Sequence, residues 1–299
     1  MDKSEIDKAY HDFTILFNPE RLPSIPIGEE VVAGEDDRKD VHQLTSSPQD
    51  SMYRRLAAAT VILTNKSRVS KNNDGSWTLA PEAFRQGGLP PCSGERFANQ
   101  HTGGWCSGFL VGPDVIVTAG HCGKTEDDIL NTAYMFGFRA SSASDPGTTE
   151  FSADQVYFGK QLIAHDLSST GDYAIVRVDR KVTAPGADPL TVRASGALAP
   201  NSNLGVIGYP SGLPCKIAFG EKTILLRDED PWLISNLDTY GGNSGSPVFN
   251  ENGDVEGILV RGAQDYIIGD SCFKTNVVKD ANGSEAITKA SVFQSQIPK

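Results

Sequence analysis

No run of apolar residues in this sequence reaches membrane-spanning length. The longest, such as Ala57-Ala58-Ala59-Thr60-Val61-Ile62-Leu63, suits a strand, so no membrane association is expected. Basic residues are in short supply: 27 Lys and Arg stand against 38 Asp and Glu, for a net charge of -11. Such a field repels phosphate backbones, which argues against a nucleic-acid partner and weakly favours basic polypeptides. No pair of cysteines or histidines sits at zinc-ligand spacing, and calcium at the acidic loops has no motif behind it, so no metal or cofactor is expected. Internal repeats and low-complexity tracts are missing too. The opening Met1-Asp2-Lys3-Ser4-Glu5 is polar rather than signal-like, leaving a cytosolic protein or an exported one separated from its leader.

What is present suits a β-rich globular protein. The 299 residues are enough for one large domain or two small ones, and 30 glycines with 17 prolines imply many turns. Residues 1–55 are acid-rich and poorly periodic, as in Gly34-Glu35-Asp36-Asp37-Arg38-Lys39-Asp40. They read as an ordered arm or a prosegment, with Arg54-Arg55 as a processing point. From residue 56 strands recur at short intervals. Gly108–Val111 and Val115–Thr118 flank the turn Gly112-Pro113-Asp114. Asp172–Val178 alternates like a half-buried strand, and Leu204–Pro210 is another strand, ending in a turn. Pro247–Asn250 and Val255–Val260 form a hairpin with an Asn252-Gly253 tip. The stretch 284–297 has helix-compatible spacing, with Ser284 as its cap. The whole is an all-β chain with a C-terminal helix.

Three segments carry the chemistry. They are Trp105-Cys106-Ser107-Gly108 leading to Thr118-Ala119-Gly120-His121-Cys122, then Gly171-Asp172-Tyr173-Ala174-Ile175, then Gly241-Gly242-Asn243-Ser244-Gly245-Ser246-Pro247. Each alone has a plain structural explanation. Together they fit one mechanism. A serine hydroxyl attacks well only when a base removes its proton, and a histidine within reach can take that proton and return it to the leaving amine. A carboxylate on the other ring nitrogen fixes the tautomer and stabilises the imidazolium. Glycines beside the serine let the N–H groups of Gly242 and Ser244 converge on one oxyanion.

These segments resemble the three signatures of the trypsin/chymotrypsin-like serine proteases, in that family's chain order of His, Asp, Ser. The resemblance covers about residues 56–298. It implies His121, Asp172 and Ser244 as the catalytic triad, and two six-stranded antiparallel β-barrels, about 56–180 and 181–299, with the cleft between them. Asn243 stands where animal trypsins carry the aspartate that pairs with a freed N-terminus. The chain is therefore more similar to bacterial glutamyl endopeptidases, whose mature start resembles Thr60-Val61-Ile62-Leu63-Thr64-Asn65. Removal of residues 1–55 by cleavage near Arg55 is expected on that ground.

The resemblance also suggests a specificity pocket. Leu259 stands where glutamyl endopeptidases place a substrate-reading histidine, which weakens a glutamate preference, although Arg261 could replace it. Asp238, six residues before Ser244, matches the aspartate at the pocket base of trypsins, and Gly262 would leave room for a long side chain. Cleavage after Arg or Lys is expected, with Thr239 and Tyr240 lining the pocket and Leu259, Val260 and Arg261 pairing with substrate backbone. Cys106 and Cys122 match the family's disulfide at the histidine loop, and among Cys92, Cys215 and Cys272 the Cys92–Cys272 pair is preferred. Disulfides imply an oxidising compartment, hence a secreted bacterial enzyme, extracellular or periplasmic, acting on polypeptides as a monomer. The alternatives are a glutamyl-specific enzyme and a non-catalytic binding protein on the same fold.

Overall fold

A computed structural model describes residues 32–262, 265–279 and 282–299. The described chain opens as an extended arm holding two short strands, β1 (Val32–Ala33) and β2 (Lys39–Asp40). Helix α1 (Pro48–Ala58) follows. It starts where the Ser47 side chain accepts the N–H of Asp50 and a proline occupies the first turn. It anchors itself by burying Tyr53, Leu56 and Ala57.

Six strands then close a barrel: β3 (Thr60–Asn65), β4 (Cys106–Gly112), β5 (Val115–Thr118), β6 (Thr132–Phe136), β7 (Val156–Ser168) and β8 (Gly171–Val178). Around the barrel the order is β6–β7–β8–β5–β4–β3, and β3 meets β6 in antiparallel register from Thr132↔Asn65 to Phe136↔Val61. Val61, Phe109, Val117, Ile175 and Val176 are fully buried, each such side chain contributing roughly 1.5–3 kcal/mol by leaving water.

The second half is a sheet of β9 (Gly205–Gly208), β10 (Lys216–Ala218), β11 (Leu225–Glu229), β12 (Trp232–Ser235), β13 (Pro247–Phe249), β14 (Val255–Arg261) and β16 (Glu285–Lys289), with β2 added. Its order is β11–β12–β16–β14–β13–β9–β10–β2. The expected second six-stranded barrel is therefore corrected to an eight-stranded sheet; no second closed barrel forms among the described residues. The arm adds an edge strand, β2 pairing with β10 (Asp40↔Lys216, Lys39↔Ile217), and the sheet curls only as far as a single bridge, Asn203↔Ile224, between the stretch before β9 and the residue just before β11. At the other end of the arm β1 runs parallel to β15 (Val277–Val278).

The helix expected over 284–297 is also corrected. Residues 285–289 are strand β16, held between β12 and β14 by pairings such as Trp232↔Thr288 and Gly257↔Lys289. Pairing on both sides overrides local propensity. Only α2 (Ala290–Phe293) and the single turn Gln294–Gln296 are helical. One core cluster runs through both halves, joining Val61, Phe109 and Ile175 to Ile217, Phe249 and Ile258. Cys106–Cys122 and Cys92–Cys272 are disulfides, and Cys215 is a buried free thiol whose pKa burial pushes up to about 12.

Candidate active site

The barrel delivers the histidine and the aspartate from neighbouring strands. Strand β5 ends at Thr118, and the turn Gly120–Cys122 carries His121. Position 120 requires glycine, because a Cβ there would sit 2.2 Å from the carbonyl oxygen of Asp166. Asp172 opens β8 with no exposure to solvent. One of its oxygens accepts the His121 backbone N–H at 3.0 Å, and the other lies 2.9 Å from His121 Nδ1. This double contact fixes both the position of the turn and the ring that it carries. Burial pushes the Asp172 pKa up. The charge of His121, its two hydrogen bonds and then the charge of Arg261 outweigh that and hold the carboxyl below its ordinary value. Thr288 of β16 brackets the aspartate backbone: it accepts the Asp172 N–H at 3.3 Å and donates to the Asp172 carbonyl at 3.0 Å.

The serine loop comes from the other half. Gly242 and Gly245 have φ of +94° and +89°, a region that L side chains rarely adopt. A Cβ on Gly245 would also stand 2.0 Å from the Ser107 carbonyl oxygen. Ser107 ties this loop to the barrel. Its N–H donates to the Ser244 carbonyl at 2.8 Å, and its hydroxyl donates to the Gly242 carbonyl at 2.8 Å. The adjacent Cys106 is bonded to Cys122, next to His121. Two successive residues of β4 therefore hold the histidine turn and the serine loop together, and the Ser244 carbonyl oxygen lies 3.7 Å from Cys122 Sγ. The N–H groups of Gly242 and Ser244 have no acceptor among the described residues. That leaves two donors for an oxyanion. Asn243 turns inward, its N–H donating to the Tyr240 carbonyl at 3.0 Å. The sulfurs of Cys106 and Cys122 lie close to His121, but they are joined to one another and are not thiolate ligands.

The residues expected to form the pocket are placed differently from one another. Asp238 is buried beneath the N-terminal arm, where its two oxygens accept the N–H groups of Ala33 at 2.9 Å and Asp37 at 2.7 Å. Burial is the main reason that its pKa rises to about 7; the charge of Asp36 adds to this, while the two backbone bonds and Arg38 act against it. Tyr240 is covered by Arg38, whose guanidinium lies 3.6 Å from the ring centroid. Thr239 is buried and donates to Glu285. Leu259 belongs to the core of the second sheet, with Leu204, Leu233 and Val248, and Val260 is equally buried. The Leu259 backbone pairs with the serine loop, accepting the Gly245 N–H at 2.7 Å. Arg261 is partly buried over the Trp232 ring, and Gly262 is partly exposed beside it.

Sequence reasoning missed Ser107, Thr288, Ala33, Asp37 and Arg38. It also missed Asp265, whose carboxylate accepts the Gly241 N–H at 2.6 Å. Only Ser107, inside one of the three signature segments, carried any signal.

Over 223 residues the chain is 27% identical to a glutamyl endopeptidase of Staphylococcus aureus (strain MRSA252), covering 73% of this chain and 57% of that protein. It is 26% identical over 180 residues to an extracellular metalloprotease of Bacillus subtilis (strain 168), covering 55% and 53%. The chain thus spans little more than half the length of these relatives. A solved Glu endopeptidase in complex with MPD superposes with a TM-score of 0.51 at 16% identity, over 89% of this chain and 97% of that one, and shares the fold. Residues 106–258, just over half the chain and including His121, Asp172 and Ser244, match the family model of the trypsin-like peptidase domain, and the chain belongs to that family.

Proposed function

We propose that this chain is a serine endopeptidase, secreted to an oxidising compartment, that cuts polypeptides through an acyl-enzyme. In this reading His121 takes the Ser244 proton as the oxygen attacks the scissile carbonyl. The carbonyl electrons move to an oxyanion held by the N–H groups of Gly242 and Ser244. Collapse expels the amine, which takes the proton from His121. Water, activated by the same imidazole, then releases the acid and regenerates the serine. Asp172 stays ionised and stabilises the imidazolium. The observation that carries this is the 2.9 Å contact of His121 Nδ1 with a fully buried carboxylate, beside a serine loop fastened to the same barrel strand.

For primary specificity we favour Arg or Lys, read by Asp238, a buried carboxylate whose oxygens accept backbone N–H groups and form no ion pair among the described residues. A second reading is cleavage after Glu, supported by the names of the S. aureus relative and the superposing structure and by a cationic candidate, Arg261. Removal of residues 1–55 also belongs to the proposal. Arg54 and Arg55 are exposed but lie within α1, and proteases take substrates as extended strands, so that cut requires the helix to open first. Fluorogenic peptides ending in Arg, Lys or Glu, with a Ser244→Ala control, test both levels. Retained turnover in the Ser244→Ala variant would refute the mechanism, and a Glu-only profile would refute the role of Asp238.

A further inference from the structure

The peptide that carries the proposed oxyanion donor lies between two glycines. Gly241 and Gly242 have no Cβ to fix the plane that joins them, and Gly242 sits at φ +94°. That trans peptide holds the Gly241 carbonyl on one side and the Gly242 N–H on the other. A half-turn of the plane would exchange them and present an oxygen to the oxyanion where a donor is needed.

Gly241 is gripped at both of its polar groups, and both grips lead to two successive residues, Asp265 and Tyr266. The Asp265 carboxylate accepts the Gly241 N–H at 2.6 Å, a short charge-assisted bond. The Gly241 carbonyl accepts the N–H of Ser211. Ser211 is a non-glycine residue in the left-handed region, at φ 52° and ψ 22°, a conformation that persists only where the surroundings impose it. Its hydroxyl lies 2.6 Å from the Tyr266 hydroxyl.

These two residues stand on a firm base. Tyr266 is buried against Tyr240, Phe84 and Phe273. It opens the strand Tyr266–Ile268, which pairs with Phe273–Thr275, and the Asn276 N–H donates to the Asp265 carbonyl at 2.9 Å across the base of this hairpin. The Phe273 N–H donates to the Pro90 carbonyl at 3.0 Å, and Cys272 is bonded to Cys92. The hairpin is therefore tied to a segment that precedes all three signature motifs.

We infer that Asp265 is a positioning residue: by gripping the Gly241 N–H, while Tyr266 steadies Ser211 on the opposite carbonyl, it keeps the Gly242 N–H turned toward the oxyanion. The inference rests on the serine-peptidase reading of Ser244 and adds to it the group that aims the hole. The role belongs to the acceptor and not to its charge. A carboxylate near the hole repels the developing oxyanion, so a neutral acceptor in the same place should serve as well.

The test uses the full chain and separates kcat from KM with a fluorogenic peptide. Asp265→Ala should lower kcat about ten- to a hundredfold, short of the 10²–10³ lost when an oxyanion donor is removed outright, and leave KM within about twofold. Asp265→Asn, whose amide oxygen still accepts, should recover most of that loss. A second readout is the oxyanion itself, seen by carbon NMR in the adduct of Ser244 with a ¹³C-labelled peptidyl chloromethyl ketone. Its pKa should rise by about one to two units in Asp265→Ala, matching the loss in kcat, whereas a merely structural role would leave it unmoved. Should Asp265→Ala not fold, Tyr266→Phe keeps the ring and removes only the contact with Ser211; a fall in kcat of about threefold or more at constant KM is then expected. Unchanged kcat and oxyanion pKa, or a rise confined to KM, would overturn the positioning role. If an alkyl fluorophosphonate labels Ser244 and these variants still match the unaltered chain, only Asp265 loses its role; failure to label any folded form sinks the serine-peptidase reading.

Discussion

The hydroxyl of Ser107 donates to the carbonyl of Gly242 across 2.8 Å while accepting the N–H of Tyr209 at 3.0 Å, with no exposure to water. A barrel strand thereby sets the backbone angle of a residue whose N–H faces the proposed oxyanion. Replacing Ser107 with alanine leaves the buried Tyr209 N–H and the half-buried Gly242 carbonyl without their partner. We expect a stability loss of about 2 kcal/mol and a fall in kcat with little change in KM, because the oxyanion donor is misaimed while substrate binding stays as it was. Urea unfolding and steady-state kinetics on one preparation check both parts.

Asp172→Asn keeps the shape of the carboxylate but removes its charge and one acceptor for His121. The ring can then settle in the tautomer that cannot take the serine proton. A fall in kcat of about four orders of magnitude is expected, with the fold intact. A fall of less than tenfold would mean that Asp172 does not orient the base.

The Cys106–Cys122 bond closes a loop with a sequence separation of 16. Replacing both cysteines by serine should lower stability by about 3 kcal/mol through the unfolded chain. Labelling of Ser244 should slow as well, since the histidine turn loses its link to β4. Denaturant midpoints and labelling rates measure the two effects separately.

Asp238 makes stability depend on pH in an identifiable direction. Its pKa rises from 3.8 to about 7 in the folded chain. Between those values the folded chain keeps a proton that the unfolded chain has released, so stability contributed below pH 4 is lost as pH rises through 7. The loss approaches about 4 kcal/mol at most. Asp238→Asn should remove that slope, and the difference between the two stability profiles from pH 4 to 8 is the measurement.

Much of the first half was legible because its signals are local. Val115–Thr118 is a short β-branched run entered through the turn Gly112-Pro113-Asp114, and the barrel places it as read. His121, Asp172 and Ser244 stand out in the sequence as candidates because short motifs surround each of them, and the contact between the first two is seen in the fold. The arm was not. Lys39–Asp40 is a two-residue strand of charged residues without any period, and it becomes a strand only because β10 offers an edge. Glu285–Lys289 reads as helix locally and is strand because neighbours pair on both sides. Asp238 stands out by its distance from Ser244, but its partners lie at positions 33 and 37, which no local pattern connects.

The central claim is that Ser244 is made nucleophilic by His121. Reaction of the folded chain with an alkyl fluorophosphonate, followed by peptide mapping, tests it most directly. The account predicts one adduct on Ser244, abolished in Ser244→Ala and slowed at least a thousandfold or so in His121→Ala. Absence of an adduct on the native chain, or labelling at Ser244 that is indifferent to His121, would contradict it.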